Sequence, residues 1–192
     1  MSKDNNEPPL PRLRFSMPVK EATVAYVDLH RFRTIDETKW RELVTCRWLQ
    51  LHQNLWIEGP SGIGKTFVAS ALGHQAARAG YRVLFSTGAR LAEVLCGPGR
   101  DATRKDLHAL KRKNDLLIID EFMPSMFVGD HRADTIDAFL ENRQFQNSIM
   151  MVTRLPLAQW GSPSPALARL LDHLLAGAQG LELRSKPCIR RR

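Results

Sequence analysis

Apolar residues first fall into a helical rhythm at Trp40, Leu43, Val44, Trp48 and Leu51, just after Thr34-Ile-Asp-Glu37, which has the spacing of a capping box. This predicts a helix over about 35–51. The rhythm then changes. Leu55-Trp56-Ile57 is a short apolar run suited to a buried strand, and the glycine-rich loop behind it opens a helix that runs to Gly80, a good residue for the C-terminal cap. Arg82 to Ser86 (RVLFS) reads as the next strand and Leu91 to Leu95 as part of a short helix, before Gly97-Pro98-Gly99 breaks the chain. A basic helical stretch over about 102–113 precedes Leu116 to Ile119, a continuous apolar run ending in Asp120-Glu121, as expected of a central parallel strand. A helix over about 132–143, a strand from Ser148 to Val152, helices around 156–160 and 165–176, and a strand near 180–184 complete the pattern. Five strands separated by helices predict an α/β fold of three layers with a parallel sheet. Trp40, Trp48, Trp56 and Phe85 could stack bases, but their helix and strand spacing favours core packing.

The first part of the chain breaks this pattern. Residues 1 to about 20 carry Pro8, Pro9, Pro11 and Pro18 with little that could be buried, so a mobile arm is expected, with residues 1–33 as a flexible N-terminal segment and 34–192 as one domain. No secretory apolar region and no run near the roughly 18 apolar residues of a membrane helix is found, so no membrane association and a cytoplasmic location are expected. Cys46, Cys96 and Cys188 are odd in number and widely spaced, which suggests reduced thiols rather than a disulfide framework or zinc site. The six histidines show no metal spacing. With 28 Lys and Arg against 20 Asp and Glu, the net charge of +8 suits a polyanion such as nucleic acid without requiring one. Basic residues gather at Arg31 and Arg33, at Arg104-Lys105 with Lys111-Arg112-Lys113, and from Arg184 to Arg190-Arg191-Arg192. Each cluster can contact duplex phosphates or be a solvated face; the middle one favours DNA because it leads into the Asp-Glu strand.

Gly59-Pro60-Ser61-Gly62-Ile63-Gly64-Lys65-Thr66 fills every fixed position of G-x-x-x-x-G-K-[ST], between an expected strand and an expected helix. Glycines let backbone N–H groups wrap an anion, and the helix N-terminus adds its positive end. On this reading Lys65 reaches the β and γ phosphates of a nucleoside triphosphate and the Thr66 hydroxyl ligates Mg²⁺. An ordinary glycine turn is the plainer alternative, and the matching context weighs against it. Asp120 can hold the hydration shell of Mg²⁺ and Glu121 can polarise an attacking water. A small-molecule kinase has its substrate hydroxyl as nucleophile, so the acidic pair favours hydrolysis over transfer. The alternative is that Glu121 simply leads into a solvated loop. Thr153-Arg154 closes the following strand, which in ATPases of this layout runs between the loop strand and the Asp-Glu strand. Arg154 can neutralise phosphate from within the chain or pair with a carboxylate such as Glu121; the sequence leaves both open.

With these pieces placed, the chain resembles the IstB-like transposition helper ATPases, AAA+ proteins close to the DnaC-type helicase loaders. The resemblance covers most of residues 34–192 and is carried by LVTCRWLQLHQNLWIEGPSGIGKTFVASALGHQAARAGYRVLF, by DLLIIDEF, by TRLPLAQW and by ARLLDHLLAGAQGLEL. It implies an AAA+ P-loop domain without a C-terminal helical lid, which binds and hydrolyses ATP with Mg²⁺. It also implies a helical or ring-like homo-oligomer on duplex DNA that stimulates a partner transposase. Lys65 and Thr66 match the Walker A positions, Asp120 and Glu121 the Walker B pair, and Arg154 stands where the family commonly has Asn or Gln. His173 stands where the family commonly carries an arginine aimed at a neighbouring subunit's nucleotide; Arg169 lies one helical turn earlier. The N-terminal part is shorter than usual for the family. A helicase loader and a hydrolysis-impaired ATP-dependent DNA scaffold are the alternative roles, the second motivated by Arg154 and His173.

Overall fold

The computed structural model describes residues 17–96, 114–123, 135, 147–160 and 165–185. Five strands, β1 (Leu55–Glu58), β2 (Val83–Thr87), β3 (Leu116–Asp120), β4 (Ser148–Thr153) and β5 (Gln179–Glu182), form one sheet in the order β2-β3-β4-β1-β5. All four pairings are parallel. Helices α1 (Glu37–Val44), α2 (Arg47–Gln50), α3 (Lys65–Arg78), α4 (Gly88–Cys96) and α5 (Pro165–Leu175) cover its faces. The three-layer expectation is met because the strand side chains alternate. Leu55, Ile57, Leu116, Ile118, Met150 and Val152 join α1, α2 and α3 in one core, while Leu84, Leu117, Ile119, Ile149 and Met151 join α4 and α5 in the other. Each such side chain contributes about 1.5–3 kcal/mol by leaving water. Trp40 and Trp48 are buried in the first core; Phe85 and Trp56 are half-buried, against the first and second respectively.

The single helix expected over 35–51 is two. Asp36, rather than Thr34, caps α1, accepting from Lys39 N at 2.7 Å. Thr34 is drawn to the other end of the chain, where its hydroxyl bonds the Glu182 carbonyl and accepts from Arg184 N at 3.1 Å. The break lies at Cys46, whose φ of 59° is left-handed. There the Leu43 carbonyl is taken by Cys46 N at 3.1 Å and by the Trp48 indole at 3.2 Å, and Arg47 N turns to the Thr45 hydroxyl at 3.2 Å. Those local acceptors replace the helical ladder and let Trp40, Leu43, Trp48 and Leu49 all face the core.

The segment expected to be a flexible arm is packed from residue 17 onward. Met17, Ala22, Val27 and Phe32 are buried. The Met17 side chain covers Gly73 of α3, where a Cβ would overlap Met17 Cε and lie 2.8 Å from Ile118 Cδ1. His74 Nδ1 meets the Ala22 carbonyl at 2.8 Å, and Phe32 pairs antiparallel with Ser185. Residues 1–16 and the helix expected over 102–113 lie outside the described residues, as does that over 132–143 apart from Thr135. The helix expected at 156–160 is a 3-10 turn, Leu157–Gln159, and the last strand starts one residue early and ends at Glu182. No helix among the described residues is long and apolar enough to cross a membrane.

Candidate nucleotide site

The strand order decides what meets the glycine loop. With β4 between β1 and β3, the C-terminal ends of three strands converge: β1 delivers the loop, β3 the acidic pair, and β4 Thr153-Arg154. Their side chains line a cleft of about 410 Å³, with Ser61, Gly62, Gly64, Lys65 and Thr66 on one side and Asp120, Glu121, Met123, Val152 and Arg154 on the other. Gly59, Pro60 and Ile63 belong to the loop without lining the cleft. Gly59 is fixed by crowding, because a Cβ there would lie 2.6 Å from the Leu183 carbonyl oxygen. Gly64 caps α3 with φ 106°, a backbone that side chains rarely adopt.

Lys65 Nζ donates to the carbonyls of Gly59 at 2.8 Å and Pro60 at 2.9 Å. Burial pulls its ammonium below the usual lysine value; Asp120 opposes that shift, the charge of Arg154 adds to it, and Glu121 opposes it. The Thr66 hydroxyl donates to Asp120 Oδ2 at 2.8 Å, joining α3 to β3. Glu121 N donates to Asp120 Oδ1 at 2.8 Å, and Glu121 itself has φ 53°. Phe122 N then donates to the Val152 carbonyl at 2.8 Å, so the turn after β3 is held against β4. Arg154 reaches the Met123 sulfur at 3.4 Å. Of the two roles left open for Arg154, no ion pair with Glu121 is seen, and the guanidinium lies on the cleft wall.

The donor set at Thr66 and Asp120, a hydroxyl and a carboxylate oxygen in contact, fits a hard divalent cation that keeps much of its water. Among the described residues no three His, Cys, Asp or Glu side chains cluster as a metal site. Met123 and Val152 are cleft residues that sequence reasoning missed; no motif marks them, and only the approach of β3 to β4 brings them in. Among the described residues none of α5 lines the cleft, and Arg169 is exposed on that helix. Arg33 N bonds the Arg184 carbonyl at 3.0 Å, so the first and last basic clusters meet through Arg33 and Arg184. The middle cluster and Arg190 to Arg192 lie outside the described residues.

A parallel sheet with a glycine loop between β1 and α3, and an acidic pair ending β3, defines the chain as a P-loop protein of the NTPase class. It belongs to the family described as IstB-like ATP binding protein, which matches residues 11–190. It is 32% identical over 176 residues to the insertion sequence ATP-binding protein y4pL of Sinorhizobium fredii, covering 90% of this chain and 71% of that protein. Its fold is similar to that of DnaI, with a TM-score of 0.66 at 18% identity over 91% of this chain and 94% of the other. It is also similar to the DnaC helicase loader, with a TM-score of 0.54 at 17% identity over 85% of this chain and 97% of the other.

Proposed function

We propose that the chain is an ATP-hydrolysing regulator of DNA transposition that assembles on duplex DNA in ATP and stimulates a transposase. The observation that carries this reading is the meeting of Lys65, Thr66, Asp120, Glu121 and Arg154 in one cleft, in a chain of the IstB-like family. The loop from Gly59 to Gly64 offers backbone N–H groups to the phosphates, and Lys65 exchanges its two loop carbonyls for phosphate oxygens. Thr66 and Asp120 would hold Mg²⁺, which when bound neutralises charge on the β and γ phosphates. Glu121 orients the attacking water and takes its proton; Arg154 stabilises the charge that develops on the γ-phosphate. Loss of that phosphate loosens the contacts between subunits and releases DNA.

Phosphate release should therefore be measurable and should respond to duplex DNA. Glu121→Gln is expected to lower turnover by about 10²-fold or more while ATP affinity stays within a few-fold. Retained turnover in that variant would remove Glu121 from the mechanism. Electron microscopy with duplex DNA should show oligomers in ATP and few in ADP; free monomers in both would overturn the assembly. The helicase-loader reading has the likeness to the DnaC loader in its favour, but at 17% identity that likeness reaches the fold alone. Co-purification with the transposase rather than a replicative helicase separates the two. A non-hydrolysing scaffold would bind ATP and DNA with no phosphate release.

A further inference from the structure

Glu58 ends β1 and immediately precedes Gly59, yet the glycine-loop motif gives it no part. It is only 8% exposed. A carboxyl group buried at such a place is costly unless a polar partner holds it. The partner is the backbone of a segment about a hundred residues away: Leu157 N donates to Glu58 Oε2 at 3.0 Å. Leu157 opens the 3-10 turn Leu157–Gln159, so its N–H has no acceptor within that turn.

The segment held in this way begins with Arg154. Just before it, the Thr153 hydroxyl donates to the Leu155 carbonyl and accepts from Leu155 N, both at 3.2 Å. Just after it, Trp160 Nε1 donates to the same Leu155 carbonyl at 3.1 Å, and the Trp160 ring rests on Phe122 with centroids 5.5 Å apart. Trp160 thereby ties the Arg154 loop to the turn that carries Glu121. Glu58 ties it to the base of the phosphate loop. The Glu58 side chain does not line the cleft, so any effect on the nucleotide passes through what it holds.

We propose that Glu58 is a positioning residue, whose side chain fixes the Leu155 to Leu157 segment against the start of the phosphate loop and so sets where Arg154 meets the γ-phosphate. This rests on the reading of Arg154 as a phosphate-facing charge. A backbone N–H bonded to a carboxylate is stronger than a neutral pair, and it connects two loops that must keep a fixed separation for one charge to meet one phosphate. An apolar residue at the end of β1 would leave Leu157 N unpaired and the segment free to shift. A misplacement of about 1 Å is enough to cost about 10²-fold in a positioned step.

The test compares fluorescent ATP and ADP affinities in the full chain with Mg²⁺, for the wild type, Glu58→Ala, Glu58→Gln, Arg154→Ala and the Glu58→Ala/Arg154→Ala double variant. The readout is the preference for ATP over ADP, which reports the γ-phosphate contact without requiring turnover. Arg154→Ala and Glu58→Ala should each lower the preference about tenfold, and the double variant should fall no further than Arg154→Ala alone. Glu58→Gln, whose amide oxygen can accept the same N–H, should stay within about threefold of wild type. An unchanged preference in Glu58→Ala, additive losses in the double variant, or equal damage from Glu58→Gln overturns the proposal. So does an effect of Glu58→Ala where Arg154→Ala has none. Should Glu58→Ala fail to fold, Leu157→Pro removes the N–H itself at a position where proline is tolerated, and it must show the same loss. A wild type that binds no ATP would instead sink the functional reading, not the role of Glu58 within it.

Discussion

Glu121 is exposed and left-handed, a combination that most side chains avoid at a cost of about 1–2 kcal/mol. The backbone there is bound on both sides, by Asp120 Oδ1 before it and the Val152 carbonyl after it. Glycine would take the same path without strain, so Glu121→Gly is expected to raise the unfolding free energy by about 1 kcal/mol in urea titrations while removing turnover. A less stable variant would show that no strain is stored there. Lys65, Thr66 and Asp120 were legible in the sequence because each is marked by a local motif, and the cleft gathers them. Glu58 was not. A glutamate beside a glycine loop has no local signature, and its partner Leu157 is a backbone N–H that no pattern of side chains can announce.

At the scale of elements, local rules placed α3 and every strand to within a few residues but missed the break at Cys46 and the docking of residues 17–33. The break was hidden because Trp40, Leu43, Val44, Trp48 and Leu51 keep a helical rhythm across it; the competing Thr45 hydroxyl acceptor and Trp48 indole donor decided otherwise. The docked segment was hidden because Met17, Ala22, Val27 and Phe32 recur every fifth residue, a period that belongs to neither helix nor strand. Its fit depends on the absence of a side chain at Gly73. Gly73→Val should therefore cost about 1–3 kcal/mol by overpacking and speed tryptic cleavage at the exposed Lys20 by loosening the segment around it. Adding Met17→Ala should restore part of the loss in thermal denaturation, because it empties the space that valine needs. Equal losses in the single and double variants would mean that Met17 is not what the new side chain meets.

For the whole molecule, the antiparallel pairing of Phe32 with Ser185 joins the first and last basic clusters across 150 residues of sequence, near one edge of the sheet where β5 lies. If the proposed DNA contact uses them, affinity for duplex in ATP should fall steeply between about 50 and 200 mM salt. Arg31→Ala and Arg33→Ala should each then reduce the slope of log affinity against log salt by about one. An unchanged slope would place the contact elsewhere. The sequence by itself determined the strand, loop and helix around Lys65, the acidic end of β3 and the family resemblance, because short-range spacing and residue chemistry suffice for these. Only the tertiary structure decided that residues 17–33 are part of the packed domain, that Met123 and Val152 line the cleft, and that Glu58 grips the segment behind Arg154. Those features are contacts between strands and segments far apart in the chain, and their energy comes from burial and backbone hydrogen bonds that leave no periodic trace.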